Sequence, residues 1–137
     1  MQRPLKKQKQ GKGEILMVKR RIAVASDGNK GLKDTVSNVF GRAKTFTIVE
    51  ADDEKILSVS VRDNPALSYP HGAGPIAIKT LIDDGVKVVI ANEIGVGASE
   101  ILRQHNVIYI QAKSGTNVGK AVKKALRKHE ETLSQSS

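Results

Sequence analysis

The chain has 137 residues, 39% of them hydrophobic and 3% aromatic, with no cysteine and a formal net charge of +9. A chain of this length builds one domain with a sizeable core of its own. The missing thiols exclude disulfides, thiolate zinc sites, cysteine nucleophiles and cysteine-ligated iron–sulfur clusters, and two Phe, two Tyr and no Trp make a poor stacking platform for single-stranded bases.

The charge is uneven. Residues 1–21 carry eight basic side chains against Glu14, a net +7, whereas the other 116 residues carry 15 basic and 13 acidic side chains. Residues 1–19 read as a disordered basic arm, because the Lys-, Gln- and Gly-rich stretch 1–16 is too poor in apolar residues to offset its ordering entropy. Met17 is a candidate natural start. Residues 20–133 read as a single α/β domain and 134–137 as a disordered tail. No apolar run approaches the roughly 18 residues that span a bilayer, and no signal-type segment opens the chain, so the expected location is cytoplasmic and no membrane partner is expected.

From Arg21 the pattern becomes regular. Arg21–Ser26 is a short β-branched run, read as the first strand and stopped by Asp27-Gly28-Asn29-Lys30-Gly31. An irregular connection over 32–44 holds Phe40-Gly41-Arg42. Thr45–Glu50 is the second strand. Ile56–Arg62 alternates, with Leu57, Val59 and Val61 on one face, which predicts a half-buried third strand in a hairpin with the second. Asn64-Pro65 breaks the sheet.

The second half changes period. Pro75 suits a first helical turn, Ile78, Leu81 and Ile82 recur at helical spacing, and Gly85 caps the end. Val86–Ala91 is the continuous apolar run of a parallel strand covered on both faces. Gly97–Gln104 forms a short helix stopped by Asn106. Val107–Ile110 is the last strand. Thr116 is the expected cap of a helix reaching about Leu133. Its buried stripe is Val118, Val122, Ala125 and Leu126, opposite Lys120, Lys123, Lys124, Arg127 and Lys128. The order β-β-β-α-β-α-β-α predicts a mixed five-stranded sheet with three helices.

In such a sheet, ligands gather at the carboxyl ends of the parallel strands. Three loops should arrive there: Ser26-Asp27-Gly28, His71-Gly72-Ala73-Gly74-Pro75, and Asn92-Glu93-Ile94-Gly95-Val96-Gly97. The last two enter helix N-termini, where unpaired amides and the helix dipole favour an anion. His71 is the candidate metal or anion ligand; His105 suits a helix C-terminus, and His129 is read as exposed. Gly115–Lys120 is one residue short of a phosphate loop and has Ala121 where Ser or Thr is needed. Asp27 and Glu50 alone are too few acids for a two-metal site.

The motifs Ser26-Asp27-Gly28, Phe40-Gly41-Arg42-Ala43, Phe46–Glu50, Asn64-Pro65, His71-Gly72-Ala73-Gly74, Ile94-Gly95 and Ser114-Gly115-Thr116 together resemble the dinitrogenase iron–molybdenum cofactor biosynthesis family, over about Arg21 to Arg127. The resemblance implies a ribonuclease-H-like fold with strand order 3-2-1-4-5 and strand two antiparallel. It also implies a non-enzymatic carrier or scaffold for the iron–molybdenum cofactor or an iron–sulfur precursor. Where that family commonly carries a histidine before Phe-Gly, this chain has Val39, which leaves His71 as the matching ligand. Arg42 would face an anionic ligand or metallocluster. The expected cofactor-binding rim is thus Asp27, Gly28, Phe40, Gly41, Arg42, His71, Gly72, Gly74, Asn92, Gly95 and Gly97, in a monomer or weak homodimer. Two alternatives are a nucleic-acid-associated protein, using the arm and the last helix, and a ribonuclease-H-like hydrolase.

Overall fold

The computed structural model of the chain describes residues 19–136, with side chains through 127. Residues 1–18 of the arm expected over 1–19, with the candidate start at Met17, lie outside the described residues. The strands are β1 Lys19–Ser26, β2 Thr45–Asp52, β3 Lys55–Asp63, β4 Val88–Ala91 and β5 Ile108–Gln111. The helices are α1 Ala73–Asp83, α2 Val96–Gln104 and α3 Val118–Ser136, with short 3₁₀ turns at Gly31–Lys33 and Phe40–Arg42. Lys19, expected in the arm, pairs with Asp52 in the sheet. α3 continues three residues beyond the expected Leu133.

The sheet order is β3-β2-β1-β4-β5, with β2 antiparallel to β1 and β3, and β4 parallel to β1 and β5. This is the mixed five-stranded α/β fold that the resemblance implies. Alternation along the strands separates two cores. Ala23, Ala25, Phe46, Ile48 and Val89 face α1 and α2, while Ile22, Val24, Val49, Val88 and Ile90 face α3. All four residues of β4 are buried, as its unbroken apolar run predicts.

The helix stops follow the turn chemistry. Gly85 takes φ +86°, its N–H donates to the Ile82 carbonyl at 3.0 Å, and the Val86 N–H reaches back to Leu81 at 3.0 Å. Asn106 does the same at φ +58°, with bonds from its own N–H to Arg103 and from Val107 to Leu102. Both are Schellman closures, which need a left-handed residue and so select Gly or Asn.

Two expectations change. The cap of α3 is Asn117 rather than Thr116. The Asn117 Oδ1 accepts from the Lys120 N–H at 2.9 Å, and its Nδ2 donates to the Leu32 carbonyl at 3.1 Å. Gly115, at φ +89°, is still turning the chain when Thr116 passes. The apolar face of β3 is also less covered than its alternation suggests: Leu57 is 46% and Val59 39% exposed. Val59 pairs with Val49 and so shares the α3 face. One helix about 10 Å wide cannot roof five strands spaced about 4.8 Å apart, so the edge strand stays open.

Candidate functional site

The irregular stretch 35–42 closes the carboxyl rim of the sheet. It bridges β1 through Ser26 and Val36, the α3 entry through Thr35 and Asn117, and the β4 exit through Val39 and Glu93. Val39, at the expected histidine position, thus serves backbone pairing. The Asn92 Nδ2 donates to both the carbonyl and the Oδ1 of Asn38 at 3.1 Å, and its own carbonyl accepts from Gln111 Nε2 at 3.2 Å. Asn92 therefore holds the rim together instead of offering its amide to a ligand.

Three further elements meet at this rim. The Phe40 N–H donates to the Glu93 carbonyl at 2.8 Å, which places the Phe40–Arg42 turn beside the loop that leads into α2. A Cβ on Gly41 would lie 2.8 Å from the Gly74 nitrogen, so the two backbones touch. Buried Asn64 fixes the turn: its Nδ2 donates to the carbonyls of Gly41 and Ala43 at 3.1 and 2.9 Å, while its Oδ1 accepts from the Ala66 N–H at 2.9 Å. Arg42 reaches across to the carbonyls of Tyr69 and Pro70, both at 3.0 Å. It thereby tethers the chain just ahead of His71. A Cβ on Gly74 would lie 3.4 Å from Ala98 Cβ, and one on Gly97 would lie 3.2 Å from Pro75 Cγ. The N-termini of α1 and α2 consequently lie side by side.

Neither N-terminus is capped by a side chain. Their N-cap residues are Gly72, at φ +74°, and Gly95, and a Cβ at either would meet nothing within 4 Å. The two N-cap positions, with two adjoining dipoles behind them, border open space. His71 is exposed and immediately precedes Gly72. This arrangement can hold an anion through backbone N–H groups, with one imidazole at hand. Among the described residues no three His, Asp or Glu side chains gather to hold a metal ion.

The expected rim is therefore brought together in part. Gly41, Gly72, Gly74, Gly95, Gly97 and His71 share one neighbourhood. Phe40 is a correction: its side chain is 1% exposed and packs on Phe46, with ring centroids 5.1 Å apart, so it belongs to the core. Arg42 is exposed, with its guanidinium donating to two carbonyls. Asp27 and Gly28 turn to a different loop: Asp27 accepts from the Thr35 hydroxyl, and a Cβ on Gly28 would meet Asp34 Oδ2 at 3.1 Å. Asn64 and Asn38 are organisers that the sequence reading missed. In the sequence Asn64 signals a break before Pro65 and one motif of the resemblance, but no role for its side chain.

Tyr109 also supports the rim, donating to the carbonyls of Ala91 at 3.1 Å and Asn92 at 3.3 Å. Burial, then the nearby Glu93 carboxylate, push its hydroxyl above the ordinary 10.0. The folded value lies above the unfolded one, so this stabilising contribution is complete below about pH 10 and is lost as pH rises through the folded value. Ultraviolet titration of tyrosinate should show a phenol ionising late and the fold weakening alongside it. In Tyr109→Phe that late step should be absent.

A family model described as dinitrogenase iron–molybdenum cofactor matches residues 19–128. An uncharacterised protein of Methanocaldococcus jannaschii is 29% identical over 111 residues, covering 80% of this chain and 89% of that protein. Among solved structures, the apo form of the orange protein from Desulfovibrio gigas is 31% identical with a TM-score of 0.72, covering 80% of this chain and 88% of that one. A Thermotoga protein provisionally named NifB is 33% identical with a TM-score of 0.62, over the same shares.

Proposed function

Because this chain belongs to the dinitrogenase iron–molybdenum cofactor family, we propose that it is a non-enzymatic carrier, holding an anionic ligand at the paired N-termini of α1 and α2. The observation that carries the reading is that pair of uncapped helix starts, pressed together at Gly74 and Gly97 and open above Gly72 and Gly95. Two adjoining helix dipoles and the amide groups at the uncapped helix starts favour negative charge there. A carrier needs no more than this, because release requires that binding stay modest.

The donor set does not fit a cluster ligated by several protein side chains. The chain has no cysteine, and no His, Asp or Glu trio gathers among the described residues. It suits cargo that arrives complete and anionic, such as the iron–molybdenum cofactor or an iron–sulfur precursor, held by amides with at most one bond from His71. The hydrolase alternative has less support. Asp27 would need neighbouring acids, and its carboxylate is taken up by Thr35.

Protein purified without oxygen and subjected to metal analysis and native mass spectrometry should carry iron, with or without molybdenum. His71→Ala should weaken retention about tenfold, the loss of one polar contact. Molybdate, as a probe anion, should shift the amide resonances of Gly72, Gly74, Gly95 and Gly97. Metal-free protein whose glycine amides ignore molybdate would end the carrier reading.

A further inference from the structure

The carrier site leaves one feature unused. Residues 19–112 hold 12 basic and 11 acidic side chains, whereas residues 113–127 hold five basic side chains and no acid, the next acids in the sequence being Glu130 and Glu131. The fold gathers four of the five into a ridge. Lys120, Lys123, Lys124 and Arg127 are all exposed and stand at i, i+3, i+4 and i+7 on α3, along about 10 Å of helix. The opposite stripe of Val118, Val122, Ala125 and Leu126 is buried, so the ridge cannot turn inward. Lys33 is exposed in the 3₁₀ turn that the Asn117 side chain ties to the start of α3. The acid next to it, Asp34, is buried and accepts from the Lys30 and Thr35 amides.

We propose that this ridge is a second, independent binding face, contacting the phosphate backbone of duplex nucleic acid without reading its sequence. What surrounds the charges selects that partner. The exposed large apolar side chains among the described residues are Leu57, Val59, Leu67, Tyr69 and Val96, and none stands on α3. A membrane-surface helix inserts apolar residues, and a protein interface needs an apolar centre; this ridge offers neither. It has no aromatic side chain on which to stack single-stranded bases. Closely spaced cations alone match a row of phosphates, whose neutralisation releases counterions. α3 packs on the face of the sheet opposite α1 and α2, so the ridge and the carrier site need not compete.

The test is fluorescence anisotropy of the full chain with a labelled random-sequence DNA duplex, followed as a function of salt. Replacing Lys120, Lys123 and Lys124 together by Gln should weaken binding at low salt by at least about tenfold. It should also flatten the slope of log K against log salt by about 2.7, at about 0.9 per lost contact. The same three positions changed to Arg should keep the slope. No binding by the full chain at low salt overturns the proposal. A slope unchanged in the triple Gln variant does so too, because the contacts then lie elsewhere, such as the basic residues before Lys19. Polyglutamate displacing the protein at the same potency as the duplex assigns the ridge to an acidic polypeptide and likewise overturns it.

Discussion

Phe40→Ala is expected to cost about 3–5 kcal/mol, the range for emptying a buried aromatic site. Against a total stability of about 5–15 kcal/mol, that is enough to leave the chain close to unfolding. The chain has two phenylalanines, and they sit together, both 1% exposed with rings inclined at 41°. Ala23, Ala25, Ala43, Ala66, Ala73 and Ala77 belong to the same core. Among so many small side chains, the two rings supply much of the volume that keeps it closed. Neighbouring alanines cannot swell into the space Phe40 would leave. Chemical unfolding measures the loss directly. Phe40→Leu separates this role from ligand contact: it should cost less than about 1.5 kcal/mol and leave molybdate binding intact. If Phe40 touched cargo, the Leu variant would bind poorly while staying stable.

The place of Phe40 in the core bears on how much the sequence discloses. Elements set by local chemistry were legible. Gly85 and Asn106 announced the ends of α1 and α2 because a left-handed closure accepts few residues. The apolar run of β4 announced burial on both faces. The cover over β3 was not legible, because it depends on how many helices share a face, and no property of Leu57 or Val59 records that. The site was legible as separate glycine-bearing loops but not as a set of partners. Which loops meet is decided by residues 35–42, a stretch without periodicity whose bridges to Ser26, Asn117 and Glu93 join distant parts of the chain. Phe40 and Arg42 flank Gly41 in a motif that carries the family resemblance, and the resemblance places them at the ligand. The fold uses them to hold that glycine in place.

Gly41→Ala tests that arrangement. The added Cβ would lie 2.8 Å from the nitrogen and 3.0 Å from the Cα of Gly74, and both are backbone atoms that cannot rotate away. One of the two segments has to move. The turn is held by Asn64 and by the Phe40 ring, and α1 is held by Ala77, Ile78 and Leu81 in the core. Movement on either side therefore strains packed structure, at about 1–3 kcal/mol. Gly41 is not among the positive-φ residues, so the cost is steric and not a matter of backbone freedom. The displacement would also part the α1 start from its neighbour α2 and so weaken molybdate binding. Gly95→Ala is the matched contrast: its φ of −71° suits any residue, and its Cβ would meet nothing within 4 Å. It should change stability by no more than about 0.5 kcal/mol. Chemical unfolding and molybdate-induced amide shifts, measured on both variants, decide the matter. If Gly41→Ala were as stable and as responsive as Gly95→Ala, the close approach of the Phe40–Arg42 turn to α1 would not be what assembles the rim.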